Sequence, residues 1–152
     1  MKRIIYLIGI LIAVAACKEV FEKPPQSLLQ ASFLNSSTKK AIELKVTALG
    51  MGLDSLWIYE TSLQKILLPL SPKDTTSFII SFDSTIDTIT FFHETHPTYE
   101  SMETGFYFEF KLDSIDFTQN RIDSIQISDR LVTPNWHENI KLYIRPLPAG
   151  NN

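Results

Sequence analysis

Apolar residues recur at every second position through most of this chain. Ile42, Leu44, Val46 and Ala48 alternate with Glu43, Lys45 and Thr47. Phe78, Ile80 and Phe82 are interleaved with Ser77, Ile79 and Ser81. Phe106, Phe108, Phe110 and Leu112 alternate with Tyr107, Glu109, Lys111 and Asp113. The pattern returns at Ile125 and Ile127, and again at Ile140, Leu142 and Ile144. A period of two predicts strands with one buried face, because successive side chains leave a strand on opposite sides. The abundant Ile, Thr, Phe and Tyr suit a pleated surface. Gly50-Met51-Gly52, Ser71-Pro72-Lys73-Asp74, Asp83-Ser84 and Thr118-Gln119-Asn120 supply turns between the runs. No ten-residue stretch after the N-terminal segment reads as a helix. About eight to ten short strands at this spacing predict an all-β fold. The expected form is a single antiparallel β-sandwich, immunoglobulin-like or Greek-key, over residues 28–146, with a flexible tail at 147–152.

The first residues break the pattern. Lys2 and Arg3 precede an apolar run from Ile4 to Val14, and small residues follow it. That is the layout of a secretory signal, and it is shorter than the ~20 residues of a membrane-spanning helix. Val14-Ala15-Ala16-Cys17 resembles the lipobox of bacterial lipoproteins, in which the cysteine becomes the new N-terminus and carries acyl chains. Each buried lipid CH₂ contributes ~0.8 kcal/mol, so several chains anchor a protein without a spanning helix. The resemblance divides the chain into a signal peptide at 1–16, and a lipidated Cys17 with an extended tether at 17–27. Pro24-Pro25 would stiffen the tether. A lipidated Cys17 is also unavailable as a thiol. Cys17-Lys18-Glu19 partly resembles a surface-export signal of Bacteroidetes lipoproteins, with Val20 where a second acid would stand. The expected location is the outer membrane, and both its periplasm-facing and surface-exposed sides stay open.

Charge and composition narrow the partners. The 152 residues hold 14 Lys+Arg and 17 Asp+Glu, a formal net charge of −3. Removal of Lys2 and Arg3 with the signal segment takes the charge to −5. Such a chain is not a generally basic nucleic-acid binder. Its single cysteine excludes an intrachain disulfide and a Cys-rich zinc module.

Candidate chemistry is sparse. His93 and His96 flank Glu94 just before Pro97, and only a turn at Pro97 would bring both onto one metal, with His137-Glu138 as further ligands. Strand-end histidines with no ligand are the plainer reading, so no metal ligand is assigned and no cofactor is expected. The Asp-rich strand ends lack the spacing of a calcium loop. No Gly-x-Ser-x-Gly elbow occurs. Asp113 and Asp116 are a carboxylate pair that nothing singles out. Asp-Ser recurs at Asp54, Asp83, Asp113 and Asp123, which is common strand-end usage rather than a repeat. Trp57 and Tyr59 share one face of their strand, and Trp136 is a third amphipathic ring. Exposed, these three would contact a sugar or a protein; the expectation is that both faces of the Trp57 strand are covered in the core.

Several short segments resemble a family of small Bacteroidetes lipoproteins of unknown function. They include Val46-Thr47-Ala48-Leu49-Gly50, Leu67-Leu68-Pro69-Leu70, Asp87-Thr88-Ile89-Thr90 and Arg121-Ile122-Asp123-Ser124-Ile125. His93 to Pro97, Gly105-Phe106 and Glu138-Asn139-Ile140-Lys141-Leu142 continue the match. Members of that family often carry a cysteine where this chain has Thr104. The resemblance implies a secreted lipoprotein and brings no catalytic residues. The expected function is a lipid-anchored, non-catalytic binding or structural accessory module of the cell envelope. Its partners would be the membrane, through Cys17, and an envelope protein or glycan. A glycan-binding module built on the exposed aromatics and a metal-dependent site around the histidines are the alternatives.

Overall fold

A computed structural model describes residues 25–52 and 56–147. The signal segment, Cys17, most of the tether, Asp54-Ser55 and residues 148–152 lie outside the described residues.

The described residues form ten strands and no helix. They are β1 (Leu28–Asn35), β2 (Leu44–Gly50), β3 (Leu56–Leu63), β4 (Lys65–Pro69) and β5 (Thr75–Phe82). There follow β6 (Thr85–Ser101), β7 (Gly105–Phe117), β8 (Ile122–Ile127), β9 (Leu131–Val132) and β10 (Glu138–Ile144). A four-stranded sheet has the order β4-β1-β10-β8, and a six-stranded sheet the order β3-β2-β5-β6-β7-β9. Each alternating run of the sequence falls on one of these strands, with Ile42 preceding the start of β2.

The two sheets bury one side-chain set between them. Leu29, Ala31 and Phe33 of β1 meet Val46 and Ala48 of β2, Phe78, Ile80 and Phe82 of β5, and Ile89 and Phe91 of β6 in one cluster. Phe33 packs edge-on against Phe82, with ring centroids 5.6 Å apart, and Phe78 against Phe91 at 6.3 Å. Each such side chain contributes about 1.5–3 kcal/mol when fully buried, and this core forms without a disulfide.

The pairing is antiparallel with one exception. β1 and β10 run parallel in the middle of the smaller sheet. No short turn joins these two strands, so nothing in their connection forces them antiparallel.

A polar cluster closes the end of the sandwich away from the chain's start. Asp87 is buried on β6 and accepts four hydrogen bonds. They come from Thr118 Oγ1 (2.7 Å) and from the backbone N–H groups of Asn120 (2.9 Å), Arg121 (2.7 Å) and Ile122 (3.0 Å). The carboxylate thereby organises the loop that carries the chain from β7 to β8. Arg121, also buried, reaches Asp83 Oδ2 at 3.0 Å. Asp83 sits in the β5–β6 turn at φ 58°, a left-handed conformation that Asp tolerates. Asp113 lies at a register shift of β7 and Asp123 on the outer strand β8, so the three described Asp-Ser dipeptides occupy unlike positions.

Candidate functional site

Three features gather at the end of the sandwich where the chain enters from the tether. The first is a projecting ribbon. β6 pairs with β5 only as far as Phe92, opposite Thr75, and β7 pairs with β9 only at Phe110 and Lys111. Beyond those points β6 and β7 have only each other, in the register Pro97↔Phe108 and Tyr99↔Phe106. Pro97 therefore makes no turn. It lies within β6 where the strand has a neighbour on one side only, a position that suits a residue without an N–H.

The ribbon continues the inner face of the large sheet past the small sheet that covers it. Phe110 and Leu112 are buried as their alternation predicts, but Phe106 is 63% exposed, and Phe108 and Tyr99 are exposed as well. Tyr99 and Phe106 hold each other edge-on at 5.2 Å. The tip is turned by Gly105 at φ 77° and by a Ser101–Thr104 hydroxyl contact of 2.7 Å. Met102 at the tip is 96% exposed.

The second feature is Trp57. The expectation that its strand is covered on both faces fails, because β3 is the outer strand of the large sheet. Trp57 is 42% exposed and Tyr59 66%. Two register shifts against β2, with Glu60 at φ 42°, bend β3 and spoil it as a template for a further strand. The Trp57 indole N–H donates to the Leu67 carbonyl of β4 at 2.7 Å, bridging the outer strands of the two sheets. The ring is thus fixed while part of it stays exposed. It separates two grooves. One, of about 600 Å³, runs between β3 and β4 along Glu43, Ile58, Ser62, Gln64 and Ile66. The other, of about 330 Å³, brings Pro25 and Leu28 beside Pro69, Phe106 and Phe108. Tyr59 is not among the residues that line either groove.

The third feature is Trp136, between β9 and β10. It is exposed, and its indole N–H donates to the Gln26 carbonyl at 2.8 Å. Trp57 and Trp136 therefore both spend their polar group on the protein and leave ring surface to solvent. Ser27, next in the chain, is buried with a hydroxyl that has no hydrogen-bond partner among the described residues.

The histidines do not converge. His93 is buried on the inner face of β6, edge-on to Phe110 at 5.2 Å, with Nε2 2.9 Å from Thr76 Oγ1. Burial lowers its pKa below the usual 6.5, against the pull of Asp74 and Asp113. His96 is exposed beside Glu94, at 3.5 Å. His137 contacts Asp129 Oδ2 at 3.1 Å and the Asn135 carbonyl at 2.8 Å. Among the described residues no three His, Cys, Asp or Glu side chains gather to hold a metal. The metal-dependent alternative fails because β6 runs straight through Pro97. It leaves His93 in the core and His96 on the solvent side.

Sequence reasoning placed Phe106 and Phe108 in a buried face and so missed them as surface residues. Their alternation is the same as that of Phe110 and Leu112, and only the length of the opposing sheet separates the two pairs.

No helix among the described residues is long and apolar enough to cross a membrane. No curated protein and no solved structure matches the chain. Residues 1–17 match the prokaryotic membrane lipoprotein lipid attachment site, which ends on Cys17 and makes this a lipid-anchored protein. The strands from β2 to β10 fall within the match to a family of unknown function (DUF6452), which covers residues 43–144, and the chain belongs to that family.

Proposed function

We propose that this lipoprotein is a non-catalytic binding module of the cell envelope, with the fixed ring of Trp57 and the groove between β3 and β4 as its contact surface. The observation that carries the reading is the indole pinned to Leu67 with part of its ring left exposed. A rigid aromatic beside an apolar groove loses little entropy on binding, and such rings dominate protein contacts. The buried polar side chains favour a role without catalysis. Asp87, Asn139 and His93 are engaged in bonds that hold strands and loops together. The partner on this reading is an envelope protein, and the membrane is the outer membrane.

A photo-crosslinking residue at Gln64, with a control at the exposed Asp116, tests the contact in intact cells. The expected result is one discrete adduct from Gln64, lost on Trp57→Ala, and none from Asp116. No adduct from Gln64, or the same adducts from both positions, would overturn it. Protease treatment of intact and permeabilised cells distinguishes the surface from the periplasmic side. The exposure of Trp57, Tyr59 and Trp136 favours a glycan as the second reading. It predicts tryptophan fluorescence changes on titration with envelope glycans that Trp57→Ala and Trp136→Ala each reduce.

A further inference from the structure

The aromatic ribbon and the lipid anchor belong to the same end of the molecule. Cys17 carries the lipid, and Pro25 lines the groove that also holds Phe106 and Phe108. Pro25 is eight residue steps from Cys17, a reach of at most about 29 Å even when fully extended. Whatever path those residues take, the end of the sandwich bearing Phe106 stays close to the bilayer that holds the acyl chains. The opposite end, at the Asp83–Ser84 turn, lies at the far end of the 17-residue strand β6, roughly 50 Å of strand away.

The residues presented at the near end are those that favour a membrane–water boundary. Tyr99 and Phe106 form an exposed pair, Phe108 stands beside them, and Met102 caps the tip. Trp136 stands at the same end, bonded to Gln26 where the chain arrives. Amphipathic rings concentrate at the headgroup level of bilayers, where an apolar body and a polar edge are both satisfied. The charge of the ribbon excludes an electrostatic version of this contact. Glu94, Glu100, Glu103 and Glu109 accompany Lys111 as its only Lys or Arg, so anionic headgroups would be repelled.

We propose that the β6–β7 ribbon seats its Tyr99, Met102, Phe106 and Phe108 side chains in the headgroup region of the bilayer that anchors Cys17, and so fixes the orientation of the sandwich. This goes beyond the binding reading and does not depend on which molecule fills the Trp57 groove. The lipid supplies attachment. The ribbon supplies a second, weaker contact that orients the domain, with the β3–β4 groove opening beside the docked end.

Cys17 is the only cysteine in the sequence and is consumed by the lipid, so one introduced cysteine can be labelled uniquely. The test uses the full lipidated chain in vesicles of zwitterionic phosphatidylcholine and phosphatidylethanolamine. A fluorophore is placed at Met102→Cys or, as control, at Ser84→Cys. The expected result is that the Met102→Cys label is quenched by spin-labelled lipid and loses most of its quenching by aqueous iodide. The Ser84→Cys label stays open to iodide. Adding Tyr99→Ser and Phe106→Ser returns the tip label to water, while an unchanged far-UV circular dichroism spectrum of that variant shows that the fold is kept. Equal iodide access at both positions would overturn the proposal. Shielding of the tip label without quenching by spin-labelled lipid would overturn it too, in favour of a protein contact. A requirement for anionic lipid that salt abolishes would refute the apolar account.

Discussion

Replacing Asp87 by alanine removes one side chain and strands four donors. Two of them, the N–H groups of Arg121 and Ile122, make fully buried bonds; those of Thr118 and Asn120 are partly buried. A buried donor left unpaired costs about 1–3 kcal/mol, so the two buried ones together cost roughly 2–6 kcal/mol. The partly buried donors regain water and add little. The expected loss is about 4 kcal/mol, a large share of the roughly 5–15 kcal/mol that holds a domain of this kind together. Asp87→Asn separates geometry from bulk. Its single carbonyl oxygen can still accept from the buried pair, while its amide group faces Thr118 and Asn120 and cannot accept from them. It should lose about half as much as the alanine variant. Urea unfolding of the leaderless chain with Cys17→Ala, followed by tryptophan fluorescence, measures both. The midpoint should fall at unchanged slope in the order wild type, Asn, Ala. A loss below about 1 kcal/mol for Asp87→Ala, or an asparagine variant less stable than the alanine one, would refute the idea that acceptor geometry holds the β7–β8 loop.

Other positions give sharper but smaller signals. His93 titrates below 6.5 because it is buried, so the unfolded chain takes up its proton first as pH falls. Its stabilisation is complete above pH 6.5 and is lost as pH drops toward the lowered pKa. His93→Gln should therefore flatten the fall in unfolding midpoint between neutral and mildly acid pH, and an unchanged slope would assign that fall to other groups. Gly105→Ala should cost about 1 kcal/mol. Its φ is +77° but no described atom beyond its own residue and its two chain neighbours lies within 4 Å of an added Cβ, so the penalty is conformational. Asn at the same position should recover part of the loss in the same urea assay. Phe33→Ala, at a fully buried ring packed edge-on against Phe82, should cost about 3–5 kcal/mol.

The strands that carry the core were legible because their faces differ. In β2 and β10 every second residue is apolar and its neighbours are mostly polar, and both strands are buried on one side. β1 is not marked by a clean run. Its inward residues Leu29, Ala31 and Phe33 alternate, but Leu28 and Leu34 add apolar residues out of phase. The parallel union of β1 with β10 was not readable, since pairing across such a sequence separation leaves no local mark. Pro97 left both a turn and a strand open. A turn is its commonest setting, yet a strand lacking one neighbour accommodates it as well. The exposed state of Trp57 and Phe106 was hidden for one common reason. Alternation reports which way a side chain points, and only the extent of the facing sheet decides whether anything lies there to cover it.

That distinction separates residues kept for folding from residues kept for contact. Phe110 and Phe106 have the same chemistry and the same inward direction on β7, two turns of the alternation apart. Phe110 is covered by the core, whereas Phe106 stays mostly in water and so contributes little of the burial energy that folding draws on. The same holds for Tyr99 against Phe91 on β6. An uncovered apolar surface is an aggregation hazard, and folding stability alone would favour polar residues there. The ribbon instead pairs its rings, Tyr99 against Phe106, and both tryptophans nearby are pinned by their indole N–H groups. These bonds order rings that the core does not need ordered. Order at an exposed apolar surface gains nothing for the isolated domain. It gains affinity once a second surface arrives, because the entropy of fixing the rings has already been lost. The arrangement therefore makes physical sense for a domain held beside a membrane, where a second surface is always within reach of the tether.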